Sequence, residues 1–183
     1  MQKFSLKGRE FILLDLRLAD VDKYMIFFNE LSEESVRCRF GHLLAKLTKS
    51  AAEQRTRGDA ESEKAVAVFD GQQDRIVAIG RCSLDAKAED AEVALVVSET
   101  MRRLGLGRFL LHQLIRIAQN ENSRSISAFI ATKNAPVIKL LQSAGFVMQP
   151  ANHGDDLRLV LKISPEGLTR THPTAESSDP EFA

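Results

Sequence analysis

The spacing of hydrophobic positions changes twice along this chain. Phe11-Ile-Leu-Leu-Asp-Leu-Arg17 is a short apolar run and predicts a strand. From Asp20 onward the apolar residues Val21, Tyr24, Met25, Phe28 and Leu31 recur at helical spacing, and Asp20 stands where an N-cap belongs. Ser32 opens a second short helix that runs to Phe40, and Ser50-Ala-Ala-Glu53 reads as the capping box of a third, stopping near Gly58. After the polar stretch 58–64 the period drops to two. Residues 65–69 and 75–84 predict an antiparallel hairpin around the turn 70–74, and 91–97 predicts another strand after the loop 85–90. A Gly- and Arg-rich stretch, 98–108, then opens a helix with Leu106, Phe109, Leu110, Leu114 and Ile117 on its core face. Residues 125–131 predict a strand. Residues 135–143 predict a helix that tolerates Pro136 in its first turn and ends at Gly145. Residues 146–148 and 157–163 predict two closing strands. The order is that of a mixed α/β domain with one β-α-β unit over 91–131, where anionic ligands often sit. The Pro-, Ser-, Thr- and Glu-containing segment 164–183 predicts a disordered tail behind a folded domain over 1–163.

Composition narrows the function classes. The 183 residues carry 25 Lys and Arg against 25 Asp and Glu, so a balanced chain gives no general electrostatic case for nucleic acid or an anionic membrane. Its two cysteines, Cys38 and Cys82, supply neither a disulfide scaffold nor paired zinc-ligand spacing. The apolar runs fall short of the ~20 residues of a membrane span, and the first ten residues lack the apolar core of a signal peptide. A cytoplasmic protein is expected. His42, His112, His153 and His172 show no metal-ligand spacing, so no metal is expected. His112 reads as a surface or partly packed residue, and His42 either does the same or faces a substrate beside Arg39. No Gly-x-Ser-x-Gly elbow points to a serine hydrolase. Cys82, Met25, Phe27 and Phe28 read as core. Arg37 and Arg39 are either solvated or line a substrate groove.

The stretch Arg102-Arg-Leu-Gly-Leu-Gly107 carries the chemistry. It follows a buried strand and opens a helix, whose first turn has free N–H donors and a positive dipole end. Glycines let the backbone approach a ligand, and Arg102, Arg103 and Arg108 add positive charge, which together suits a pyrophosphate. A tight glycine turn with solvated arginines is the alternative. A dinucleotide fingerprint is excluded because Leu110 stands where a small residue is required, and no Walker loop is present.

Strand and loop together, over Ala91 to Leu110, resemble the acyl-CoA-binding motif of the GNAT superfamily of N-acyltransferases, with Arg-x-x-Gly-x-Gly at 102–107. Asn134-Ala-Pro-Val-Ile-Lys-Leu-Leu-Gln-Ser-Ala-Gly-Phe146 is similar to that family's second conserved block, and the element order over 11–163 is similar to its fold. The resemblance implies a mostly antiparallel central sheet flanked by helices, with its middle strands, 91–97 and 125–131, splayed. It implies acetyl-CoA as co-substrate. The pyrophosphate would sit on the loop of Arg102, Arg103, Leu104, Gly105, Leu106, Gly107 and Arg108, the pantetheine would pair with Leu95, Val96 and Val97, and Asn134 would touch the cofactor. A finer likeness, in Leu31 to Phe40 and Ala91-Glu-Val-Ala94, is to bacterial protein lysine acetyltransferase domains, although Gly41 and Val93 stand where those carry Phe.

An amine nucleophile is mostly protonated at neutral pH, so a carboxylate near the thioester is needed to take the proton. Glu92 is the candidate. It alternates with Ala94 and Val96 on one face of an apolar strand, where a carboxylate is costly unless used or paired. The alternative is a solvated glutamate beside Lys87 or Arg81. Many family members protonate the leaving thiolate with a Tyr at the position that is Leu141 here. The expected function is direct transfer of an acetyl group from acetyl-CoA to an amine, a protein lysine being the first acceptor to consider. The competing expectation is a non-catalytic acyl-CoA sensor or interaction module. A homo-oligomer is compatible with either.

Overall fold

The computed structural model describes residues 1–40, 47–57, 62–72, 74–85, 89–149 and 156–163. The predicted tail, Gly58, His42, His153 and His172 lie outside them. In chain order the strands are β1 (Gln2–Leu6), β2 (Arg9–Asp15), β3 (Glu63–Asp70), β4 (Arg75–Asp85), β5 (Asp90–Val97), β6 (Ser125–Ala131), β7 (Val147–Gln149) and β8 (Asp156–Lys162). The helices are α1 (Val21–Asn29), α2 (Glu33–Phe40), α3 (Lys49–Arg57), α4 (Leu106–Asn120) and α5 (Ala135–Ser143). One sheet holds all eight strands in the order β1-β2-β3-β4-β5-β6-β8-β7. Neighbours run antiparallel except β5 and β6.

The predicted mixed α/β order is observed with one addition. β1 escaped the sequence reading because it is short and mostly polar, with only Phe4 and Leu6 turned inward. It is held by a two-residue turn in which Lys7 and Gly8 both take positive φ, 47° and 75°, the geometry that matches hairpin twist. Phe4 then stacks on Phe109 of α4, ring centroids 3.7 Å apart, and on Phe11, 5.6 Å away.

Cap positions shift slightly from expectation. Asp20 precedes α1, but its carboxylate accepts from the Arg17 N–H at 3.0 Å rather than from the helix. α3 is capped by Thr48, whose Oγ1 accepts from the Ala51 N–H at 3.2 Å, so the Ser50 capping box is not used. Ser32 caps α2 as predicted, its Oγ accepting from the Ser35 N–H at 3.2 Å. α5 ends in a Schellman motif: Phe146 N–H donates to the Leu141 carbonyl, Gly145 N–H to that of Gln142, and Gly145 takes φ +90°.

Two apolar layers cover the sheet. α4 and α5 bury Leu106, Leu110, Leu111, Leu114 and Leu141 against one face. The apolar stripe of α4 is turned slightly from the predicted one. Leu111 and Ala118 are buried, while Phe109 and Ile117 lie half-buried at its edge. α1, α2 and α3 bury Val21, Tyr24, Phe27, Phe28, Val36 and Ala52 against the other face. Gly80 on β4 lets α4 lie close to the sheet, since a Cβ there would meet Leu110 Cγ at 3.0 Å.

Candidate active site

The lone parallel pair of the sheet is short. β5 and β6 are in register only at Asp90–Ser125, Ala91–Ile126 and Glu92–Ser127. Beyond Glu92, β5 continues beside β4 as far as Val97–Ala78, and β6 continues beside β8 as far as Ala131–Asp156. The two middle strands therefore part after three residues, and a wedge opens between Val93–Val97 and the end of β6. Leu95, Val96 and Val97 are half-buried along its β5 side.

β5 leads through a single 3-10 turn, Glu99–Met101, into the glycine loop. Arg103 takes φ 63° and Gly105 φ 98°, so the chain reverses sharply before α4 starts at Leu106. The first turn of α4 leaves the Leu106, Gly107 and Arg108 N–H groups without intrahelical acceptors, and the first ladder bond is Phe109 N–H to the Gly105 carbonyl, 3.0 Å. Gly105 is needed for conformation. Gly107 is not needed by the fold: its φ is unexceptional, and a Cβ there would meet Leu140 Cδ2 at an ordinary 3.4 Å. Leu106 is buried, so its side chain belongs to the core and only its N–H faces the loop. Leu104 is half-buried, while Arg103 and Arg108 are exposed. The Arg103 carbonyl accepts from Lys7 Nζ at 2.8 Å, which ties the β1–β2 turn to the loop.

Arg102 faces the protein rather than solvent alone. It donates to the Val97 carbonyl at 3.4 Å, to Ser35 Oγ at 2.6 Å and to Glu99 Oε1 at 3.2 Å. Glu99 also accepts from the Ser32 hydroxyl at 2.7 Å, the Ser32 N–H at 3.2 Å and the Ser35 hydroxyl. Burial pushes the Glu99 carboxyl up. The Ser35 and then the Ser32 hydrogen bonds outweigh it and hold the group down at about 2. This knot joins the N-terminus of α2 to the segment that carries the glycine loop.

On the opposite face of β5 lies a cavity of about 530 Å3 lined by Arg39, Gln54, Arg55, Ser62, Glu63, Arg81, Ser83, Glu92 and Ala94. Register explains its floor. Glu63, Ser83, Glu92 and Ser127 lie in one row across β3, β4, β5 and β6, and Ala65, Arg81 and Ala94 form the next. α2 contributes Arg39, and α3 contributes Gln54 and Arg55. Arg81 pairs with Glu63 and also donates to the Arg55 carbonyl. Burial holds Arg81 below the usual arginine range. Burial and then Arg81 hold Arg39 down at about 10, with Arg55 acting the same way and Tyr24 and Glu92 opposing.

Glu92 is exposed to this cavity with Arg81 nearby, the surroundings that the alternative of a solvated glutamate beside Arg81 describes. The strand around it is apolar because its other face packs on α4. The Glu92 face is polar, with Arg81 and Ser83 beside it. Arg39 enters the cavity while Arg37 stays exposed, which separates two residues the sequence left together. Asn134 caps α5, its Oδ1 accepting from the Val137 N–H at 3.4 Å. Leu141 is 1% exposed in the core, and Cys82 is fully buried with its thiol raised to about 11, by burial first. His112 is exposed. Among the described residues no group of three His, Cys, Asp or Glu side chains could hold a metal ion, and no helix is long and apolar enough to cross a membrane.

The sequence reading missed Gln54, Arg55, Ser62, Glu63, Arg81 and Ser83 as cavity residues. The signal was the set of polar residues in the otherwise apolar strands 63–70, 75–85 and 90–97, but only the register places them side by side.

Comparisons with known proteins fit this geometry. A model of the acetyltransferase (GNAT) family matches residues 28–146. A Bacillus subtilis (strain 168) protein, YwnH, which carries an unproven phosphinothricin acetyltransferase name, is 43% identical over 56 residues. That match is 31% of this chain and 34% of the relative, so it spans about a third of that protein. The crystal structure of the GNAT domain of S. lividans PAT superposes with a TM-score of 0.82 at 21% identity, covering 88% of this chain and 96% of that one. Spermidine N-acetyltransferase from Vibrio cholerae, solved with CoA and spermine, gives 0.68 at 15% identity over 83% and 95% of the two chains. The wedge between β5 and β6, the glycine loop at its open end and the family match over most of the chain lead to one assignment: this chain belongs to the GNAT family of acetyltransferases.

Proposed function

We propose that the chain transfers an acetyl group from acetyl-CoA to an amine by direct attack, with both substrates bound together and Glu92 as the general base. The observation that carries the reading is the position of Glu92. It stands at the closing point of the wedge, where β5 and β6 part, and opens into the cavity on that face.

The residues fit the co-substrate. The free N–H groups at Leu106, Gly107 and Arg108 lie in a glycine turn with a positive dipole end, suited to a pyrophosphate. Glycine at 107, which the fold does not require, is explained by a ligand passing over the turn. At roughly 3.3 Å per residue, Glu92 to Val97 spans about 17 Å, which suits an extended pantetheine arm laid along Leu95, Val96 and Val97. When bound, acetyl-CoA supplies an activated acetyl thioester. The chain's own part is to orient the amine and move its proton. An ammonium group of ordinary pKa, ~10.4, needs an acceptor before its nitrogen can attack. In this reading a Glu92 carboxylate oxygen takes that proton, directly or through one water. No side chain at position 141 can protonate the leaving thiolate, because Leu141 is core. A thiolate leaves without that help more readily than an alkoxide would.

Purified protein with acetyl-CoA and a panel of amines, scored by release of free coenzyme thiol, tests this. Glu92→Gln is expected to lower kcat by about 10²-fold or more while a coenzyme-induced rise in melting temperature persists. Transfer that ignores Glu92→Gln would remove the base. A wild-type protein that binds acetyl-CoA and acetylates nothing in the panel would favour the acyl-CoA sensor instead.

A further inference from the structure

One guanidinium joins three elements. Arg102, which directly precedes the left-handed turn at Arg103, donates to the Val97 carbonyl at the end of β5, to Glu99 in the 3-10 turn and to Ser35 Oγ in the first turn of α2. Ser35 donates in turn to Glu99, as does Ser32 through its hydroxyl and its N–H. Glu99, held at about 2, stays ionised at neutral pH and keeps these donors. At its other end α2 carries Arg39 into the cavity at Glu92. An eight-residue helix is well below the ~12–15 residues at which helices persist on propensity, so α2 depends on what its buried positions touch. Of residues 33–39 two are buried, Ser35 and Val36. Val36 packs into the core and Ser35 is fixed by the knot.

Resting on the acetyl-transfer reading, we infer that Ser35 is a positioning residue that links the two substrates: coenzyme bound on the glycine loop steadies α2 through Glu99 and Arg102, and α2 then holds Arg39 in a fixed place at the cavity where Glu92 meets the amine. Arg103 is a non-glycine residue at φ 63°, a conformation that its surroundings must impose, and Gly105 follows at φ 98°. A diphosphate received by the Leu106, Gly107 and Arg108 N–H groups fixes that loop, and the loop does not settle without settling the guanidinium one residue before it. The effect needs no second backbone conformation, only a loss of motion passed from the loop to α2. It is also reciprocal: an α2 held in place favours the coenzyme by the factor that the coenzyme favours α2.

Backbone hydrogen exchange on the full chain, with and without saturating CoA, tests the link, and calorimetry gives CoA affinity in parallel. In the wild type, CoA is expected to slow exchange of the amides from Val36 to Arg39 by about fivefold or more, the lower end of ordinary coupling between two sites. Ser35→Ala should lose most of that slowing even where CoA again saturates and the first turn of α4 is protected as before, and Ser35→Thr, which keeps the hydroxyl, should retain it. Glu99→Gln decides the matter if Ser35→Ala does not fold. A serine with a merely structural role would speed exchange in α2 equally with and without CoA, and the slowing by CoA would survive Ser35→Ala; that result overturns the inference. So does a wild-type α2 that ignores bound CoA, which leaves the acetyl-transfer reading standing. No CoA binding at all would remove that reading and the link together.

Discussion

Replacing Glu99 with Gln asks how much the knot between α2 and the glycine loop contributes. The glutamine keeps the shape and one acceptor oxygen, so the change removes charge rather than contacts. Glu99 sits at about 2 against an ordinary 4.5. That gap, at about 1.36 kcal/mol per pH unit, sets a ceiling of about 3.4 kcal/mol. The side chain is 32% exposed, so solvent screening brings the realised contribution to about 1–2 kcal/mol. The sign follows from the depressed value. The contribution is fully present above the unfolded value near 4.5 and is lost as pH falls through the folded value near 2. Urea unfolding at pH 7 should therefore show Glu99→Gln less stable by about 1–2 kcal/mol, with a clearly smaller difference at pH 3.5. In a melt at pH 7 the loss corresponds to about 2–8 °C. Because Glu99 also fixes Arg102, and through it the segment ahead of Gly105, affinity for CoA should fall as well. Equal stability at pH 7, or a difference that stays constant down to pH 3, would refute the reasoning.

Two further tests separate ligand from scaffold. Gly107→Ala should leave the fold unharmed or stabilise it by up to about 1 kcal/mol, while the rise in melting temperature that acetyl-CoA confers shrinks clearly; a full rise would free the loop from any role in binding. Gly105 is a poorer probe because its φ of 98° makes any side chain there strained. Native protein at pH 8 should expose one reactive thiol, Cys38, and a second only on unfolding, because the Cys82 thiol is buried and raised to about 11. Two fast-reacting thiols in a thiol titration would contradict that burial.

Much of this was legible in the sequence. The helix over 135–143 and the strand over 125–131 fall at their predicted bounds because Asn134, Pro136 and Gly145 punctuate them and because β-branched and apolar residues fill the strand. The glycine loop was legible for the same local reason. β1 was not, since five residues with two inward side chains carry too little pattern; pairing with β2 and the stacking of Phe4 on Phe109 are what hold it. Thr48, which the sequence reading did not consider, takes the cap of α3 in place of Ser50, because the helix begins at Lys49. Glu92 was singled out by its oddity in an apolar strand, with Arg81 named as one alternative neighbour, while Ser83 was not seen. A strand's polar residue is ambiguous alone, and its meaning comes from the neighbour that register puts opposite.

The position of the site follows from topology more than from any one motif. Most of the sheet is antiparallel, and a parallel neighbour can join it only through a crossover helix, here α4 between β5 and β6. At the carboxyl end of β5 the chain must leave the sheet to begin that helix, while β6 turns toward α5 at its own end. The pair has nothing to hold it together there, and it opens. The same departure leaves the first turn of α4 at the mouth of the opening with its N–H groups unsatisfied, and leaves Glu92, the last residue of β5 paired with β6, at its floor. A donor cradle and a carboxylate are thus set at the two ends of one strand, on a spacing fixed by backbone geometry. The cavity at Glu92 is made by α2 and α3 folding over the other face of the same strand. α2 serves both sides, because Arg39 lines that cavity while Ser35 binds Glu99 and Arg102 ahead of the glycine loop.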